Sequence, residues 1–220
     1  ESAMSPPLNM NTAPHVTAVF ECDLGRAIAH REARKAELAE RGIKLTFSAY
    51  FVRAAVAAAR AVPEVNSRWH DDALEVFESA HVGVGTALED RGLVVPVVRD
   101  AQDLDLEGTA DVLGRLIEKA RAGKLSPAEL HGGTFTLTNL GGIGGSFFTP
   151  IVNWPEVAIL GVQRSEKMPV CGKDGLCAPR LMLPLSLSYD HRLVDGADAA
   201  RFLRWVCEAL EEPLLMSLEG

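Results

Sequence analysis

Apolar and polar residues alternate from His15 to Asp23, with Val16, Ala18, Phe20 and Cys22 on one side, and this pattern predicts a strand. A charged, Ala-rich stretch follows from Arg26 to Arg41. Glu37 and Arg41 stand four apart on an exposed helical face, and Gly42 is placed to stop the helix. Phe47, Phe51, Ala55 and Ala58 form one stripe of a buried helix over 47–61, which Pro63 ends. Two strands are predicted over 82–88 and 93–99, joined by Glu89-Asp90-Arg91-Gly92. Pro96 has no N–H to give a ladder, so the second strand should be an edge or carry a bulge.

Leu113, Ile117 and Ala120 face inward on a helix predicted over 111–122. Ser126-Pro127-Ala128-Glu129 joins a capping-box spacing to proline at the first helical position, which predicts a short helix start. Further strands are predicted over 134–139, 157–162 and 180–190. In the first, Phe135 and Leu137 oppose Thr134, Thr136 and Thr138. In the last, Leu181, Leu183, Leu185, Leu187 and Tyr189 oppose Ser186, Ser188 and Asp190. A closing helix over 197–210 turns Phe202, Leu203, Val206 and Leu210 inward. Strands and helices without a strict βαβ rhythm predict an α+β, mixed-sheet sandwich, not a doubly wound dinucleotide fold.

The 220 residues, 47% of them hydrophobic, suffice for one large domain. No linker or internal repeat divides them, so 1–14 reads as an arm and 15–220 as the core. A net charge of -8 argues against a broad nucleic-acid footprint. No apolar run approaches the roughly 20 residues of a membrane helix, and no signal peptide is visible. The chain opens at Glu1 without an initiator Met and reads as a piece of something longer or a processed chain. Cys22, Cys171, Cys177 and Cys207 form no CxxC pair, and the Cys171–Cys177 spacing matches no common zinc site. All four read as buried or incidental thiols of a reducing compartment.

Two segments carry candidate chemistry. Asp190-His191-Arg192-Leu193-Val194-Asp195-Gly196 sets a histidine between a strand and a helix, beside carboxylates that can orient an imidazole acting as general base. Thr138, at the end of its strand, precedes Asn139-Leu140-Gly141-Gly142-Ile143-Gly144-Gly145. A hydroxyl there can donate to a developing oxyanion, and the glycines let backbone approach a ligand. No Gly-Lys-Ser/Thr ending supports a nucleotide loop, and no second cluster completes a metal set around Asp190, His191 and Asp195.

Together, in this order, these segments resemble the catalytic domain of the dihydrolipoamide acyltransferases, the E2 components of 2-oxoacid dehydrogenase complexes. Pro14-His15-Val16-Thr17, Thr134 to Gly141, Phe148 to Asn153, Pro155 to Gly161 and Pro179 to Arg192 are similar to successive blocks of that family. Chloramphenicol acetyltransferases and condensation domains usually carry His where Asp190 stands, which favours the lipoamide enzymes.

The resemblance implies a chloramphenicol acetyltransferase-like two-layer sandwich that forms trimers and then a larger cage. It implies acyl transfer, acetyl first, between dihydrolipoamide and coenzyme A, with the lipoyl group carried on a domain absent from this chain and no metal. His191 matches the general base, Thr138 the oxyanion donor and Asp195 the brace of the His loop, with Asp190 and Asn139 in support. Gly144, Gly145 and Ser146 become candidates for coenzyme A. In the family, Thr138 and His191 would come from neighbouring subunits, and the apolar tail Pro213 to Leu218 would join trimers.

Lipoyl domains and the E1 and E3 components are the implied partners, with no nucleic acid and no membrane, in a bacterial cytoplasm or a mitochondrial matrix. By that resemblance, the family's lipoyl and subunit-binding domains, and most of its segment before the first strand with a basic Arg-Lys pair, have no counterpart within these 220 residues. A catalytically silent assembly core and a free-standing chloramphenicol-type acetyltransferase are the alternative readings.

Overall fold

The computed structural model describes residues 14–70, 72–88 and 92–218. All of the arm except Pro14, and Glu89-Asp90-Arg91 of the expected joining turn, lie outside them. In chain order the elements are β1 (His15–Asp23), α1 (Gly25–Glu40), α2 (Phe47–Ala61), β2 (Ser67–Trp69), β3 (Leu74–Val76), β4 (Val82–Val84), β5 (Thr86–Leu88), β6 (Gly92–Val94) and β7 (Val97–Val98). Then come α3 (Leu106–Arg121), α4 (Pro127–Leu130), β8 (Phe135–Asn139), β9 (Ala158–Val162), β10 (Glu166–Cys171), β11 (Cys177–Asp190), α5 (Gly196–Glu211) and α6 (Leu215–Leu218).

The main sheet has seven strands in the order β1-β11-β9-β8-β4-β7, with β10 paired to the outer half of β11. β8 runs parallel to β9 and β4, and the other pairs are antiparallel, so the sheet is mixed as expected. Helices cover one face. α5 lies against β1 and α2, and α2 against α3. The inward stripe of α5, with Phe202, Leu203, Val206 and Leu210, is fully buried, and the Phe202 ring meets that of Phe135 at 5.6 Å. α2 is buried without interruption from Ala49 to Ala58, because its small alanines let three neighbours close on it.

The opposite sheet face is polar in sequence but closed in space. Ser186, Ser188, Thr136 and Asp190 are all buried. Burial of such groups requires hydrogen bonds, and each has one. Ser188 shares a 2.8 Å bond with Thr17, Ser186 donates to the Phe148 carbonyl at 2.9 Å, and Gln163 donates to Ser186. Segment 148–156 is the cover. Gly161 is what lets it approach, since a Cβ there would sit 2.8 Å from the Phe148 ring.

Two expectations need correction. The strands over 82–88 and 93–99 each break in two, at Gly85 and before Val97. β4 and β7 end the main sheet, while β5 and β6 form a ladder of their own. Gly85 lies at the first break with its N–H still donating to the Leu137 carbonyl at 2.8 Å, and only a glycine fits easily there, since a Cβ would lie 3.2 Å from the Thr138 hydroxyl oxygen. Pro96 fits, because β7 is the edge strand.

Cys171 and Cys177 are not thiols but a disulfide across the last register pair of the β10–β11 hairpin. Cys22 and Cys207 are buried free thiols, and their mutual contact with burial pushes the Cys22 pKa up. The apolar tail is partly spent on its own domain. Met216 is buried in the core and its carbonyl accepts from Arg53 at 3.4 Å, while Leu214 stays exposed.

Candidate active site

Thr138 sits next to the end of β8, half-buried, and its hydroxyl has no hydrogen-bond partner among the described residues. Asn139 follows and accepts from the Gly141 N–H at 2.9 Å, which turns the chain out of the sheet. Gly144 and Gly145 then take φ values of 115° and 99°, and neither has an atom within 4 Å of an added Cβ. With the exposed Ser146 they form an open loop above β8. Beside it lies a cavity of about 200 Å³ lined by Leu24, Phe47, Phe51, Asn139, Gly141 and Leu183 among others.

His191 stands at the far end of β11, exposed. Its backbone N–H donates to Pro14 at 2.9 Å, and its ring lies 5.8 Å from that of Tyr189. The imidazole has no hydrogen bond among the described residues. The chain around it is held firmly. Asp190 is buried at 3% exposure and accepts from the Arg192 N–H at 3.1 Å and from its guanidinium at 2.9 and 2.5 Å. That ion pair raises the Arg192 pKa, and the guanidinium lies over the Trp69 ring at 5.2 Å. Leu193 and Val194 both donate to the Asp190 carbonyl at 3.1 Å. Asp190 therefore ties the His191 turn to the β2–β3 hairpin.

Asp195 does its work at the next element. It is the N-cap of α5, accepting from Ala197 and Asp198 at 2.8 Å each, and the Asp198 N–H is first among the donors that hold its pKa down. No hydrogen bond or ion pair joins it to His191 among the described residues.

The two halves are far apart in one chain. Ser186 is level with Gly161, and Gly161 with Thr138. His191 lies five residues beyond Ser186 and two strands away from β8, so ~16 Å along the sheet and ~10 Å across it separate the two residues, or ~19 Å in all.

Two residues without an assigned role stand near His191. His15 pairs with Asp190 in register and its Nε2 accepts from the Val152 N–H at 3.1 Å, which fixes the cover segment to β1. Glu156 is buried, accepts from Thr136 at 2.6 Å and Asn153 at 3.2 Å, and burial pushes its pKa up to about 7. The only hint in sequence was a carboxylate leading directly into an apolar strand. Among the described residues no group of three or more His, Cys, Asp or Glu is placed to hold a metal ion, and no helix is long and apolar enough to cross a membrane.

Known proteins are similar to this chain in sequence and fold. The dihydrolipoyllysine-residue acetyltransferase component of the pyruvate dehydrogenase complex of Bacillus subtilis (strain 168) is 40% identical over 211 residues, 96% of this chain and 48% of that protein. The chain thus spans about half the length of the relatives it matches. The Azotobacter vinelandii dihydrolipoamide acetyltransferase (E2p) superposes with a TM-score of 0.90 at 39% identity, covering 94% of this chain and 85% of that one. The cubic core of a pyruvate dehydrogenase multienzyme complex does so at 0.90 and 40%, with the same coverage. A chloramphenicol acetyltransferase, at 15% identity, a TM-score of 0.62 and coverage of 90% and 89%, shares the fold alone. The family model described as 2-oxoacid dehydrogenases acyltransferase (catalytic domain) matches residues 7–218, and the chain belongs to that family.

Proposed function

We infer that the chain transfers an acetyl group between the sulfur of dihydrolipoamide and that of coenzyme A, with the reacting centre between two copies. The observation that carries this reading is the ~19 Å separation of His191 and Thr138 set by the sheet register. Each is a half-site with an unengaged polar group at a strand end. Neither can serve the other within one chain, so a neighbour must complete each pair.

His191 takes the proton from the attacking thiol, because the thiolate is the nucleophile. The Thr138 hydroxyl donates to the oxyanion of the tetrahedral intermediate. Asp190 positions the His191 turn through Arg192, and Asp195 fixes the start of α5 behind it. Asn139 shapes the loop after Thr138, and Gly144, Gly145 and Ser146 leave room there for coenzyme A.

A closed ring of three copies satisfies every half-site at once. Such trimers would assemble further, as in the cubic core that the chain resembles. Lipoyl domains would deliver the acetyl group, with E1 and E3 as the complex's other components, in a bacterial cytoplasm or a mitochondrial matrix. The acetyl group is preferred because the relatives named above are acetyltransferases.

The test is acetyl transfer from acetyl-coenzyme A to free dihydrolipoamide, alongside sedimentation of the particle. The expected result is turnover by a trimer or larger assembly, lowered by about 10²–10⁴-fold in His191→Ala. Turnover by a monomer, or an unaffected His191→Ala variant, overturns the reading.

A further inference from the structure

The β10–β11 hairpin extends past the core. Every residue of β10 is exposed, as are Cys177 to Arg180 of β11. The Cys171–Cys177 disulfide closes its tip, with both cysteines exposed and their Cα atoms 3.9 Å apart.

The crosslink is poorly placed to stabilise the fold. It closes a short loop, and the entropy that a disulfide removes from the unfolded chain grows with loop length. The turn inside it is already closed by its own hydrogen bonds. Gly172 donates to Leu176 at 2.8 Å, Gly175 to Gly172 at 3.0 Å, and Leu176 to the Asp174 carboxylate at 3.1 Å. Five further register pairs, from Glu166 opposite Met182 to Val170 opposite Ala178, hold the hairpin behind it.

We propose that the Cys171–Cys177 disulfide at this hairpin tip is a thiol–disulfide exchange site whose substrate is a small dithiol of the dihydrolipoyl class. The inference rests on the acyltransferase reading, which brings that dithiol to this protein as its acyl carrier. Attack on a disulfide needs a thiolate with an open path to sulfur, and the exposed tip supplies the path. The other two cysteines do not compete. Both are buried, and the Cys22 thiol is held protonated by its Cys207 neighbour and by burial.

The step balances as follows. A dihydrolipoyl thiolate attacks one cysteine sulfur and forms a mixed disulfide. The Cys171–Cys177 bond breaks, and the other cysteine leaves as a thiolate that takes a proton. The second dihydrolipoyl thiolate attacks its own partner sulfur, closes a five-membered cyclic disulfide, and expels the first cysteine, which is protonated in turn. Two electrons and two protons pass from the dithiol to the cysteine pair. A monothiol has no such ring closure and stalls at the mixed disulfide.

The experiment incubates the folded, oxidised chain with free dihydrolipoamide or with equimolar coenzyme A as the monothiol. It then alkylates under native conditions, maps the modified cysteines by mass spectrometry and quantifies the cyclic lipoamide formed. Acetyl transfer is assayed on the same sample. The expected result is alkylation at both Cys171 and Cys177 with one lipoamide per chain, at least about tenfold faster than with coenzyme A. The Cys171→Ser/Cys177→Ser variant should form no lipoamide and keep its acetyl transfer.

Cysteines that stay closed to dihydrolipoamide but open to a phosphine reductant overturn the inference, as does protein trapped by alkylation that never shows the crosslink. Either result with intact acetyl transfer leaves the acyltransferase reading standing. Reduction without acetyl transfer supports the exchange site and strikes the acyltransferase reading instead.

Discussion

Thr136 donates a 2.6 Å hydrogen bond to Glu156, joining β8 to the segment that covers the polar face of the sheet. Asn153 supplies a second donor to the same carboxyl, and Arg68 is the charged group nearby. Burial outweighs all three and raises the pKa from 4.5 to about 7. The folded state therefore holds a proton that the unfolded chain has released, and stability falls as pH rises.

The contribution is fully present below about pH 4.5, shrinks across the interval and is lost above about pH 7. Glu156→Gln carries no such proton. Its stability relative to the natural chain should rise by on the order of 3 kcal/mol between those limits. Chemical denaturation of both proteins from pH 5 to pH 8 checks this. A constant difference between the two curves rules it out.

Much of this cover was illegible in sequence. The long periodic elements were legible. α2 spans the same 47–61 as its stripe, and β8, β9 and α5 lie within a residue or so of their patterns. β2 and β3 have three residues each, too few for a period, and β3 is wholly exposed. α3 begins at Leu106, well ahead of its apolar stripe, because Asp105 caps the Gly108 N–H at 2.7 Å. His191 and Thr138 drew attention because each stands at a strand end beside a turn, and the family resemblance supplied the roles proposed for them. Glu156 and the Cys171–Cys177 pair could not be found, because burial and pairing are set by neighbours distant in the chain or across a turn.

The two aspartates around His191 should separate by substitution. Asp195→Ala removes both hydrogen bonds at the start of α5 and should lower the melting temperature, while Asp195→Asn keeps an acceptor and most of the stability. If capping is the whole role, the Asn variant also keeps kcat. A normal melting temperature with a collapsed kcat in Asp195→Asn would instead give its charge a part in the reaction.

Arg53 is fully buried and makes no salt bridge among the described residues, although the Asp105 carboxylate acts on it through charge. Its guanidinium donates to the Ala101 carbonyl at 2.8 Å and to Met216 at 3.4 Å, and so holds α6 against α2. Arg53→Ala leaves a cavity and strands both carbonyls, at a cost of about 3 kcal/mol. The same variant should release the C-terminal residues to carboxypeptidase before the domain melts. Equal digestion rates in the two proteins would show that α6 is held by other contacts.

The ~19 Å gap between Thr138 and His191 predicts complementation between inactive chains. Thr138→Ala alone should cost about 10²–10³-fold in kcat, and His191→Ala at least as much. Denatured together in equal amounts and refolded, the two variants assort at random. A site built from Thr138 of one copy and His191 of the next is then whole wherever a His191→Ala chain meets a Thr138→Ala chain in the right order. That is about a quarter of all sites, so about a quarter of the natural kcat should return. A site built within one chain regains nothing, because every chain carries a lesion. Recovery should also vanish when the variants are refolded separately and then mixed, provided the assemblies do not exchange subunits.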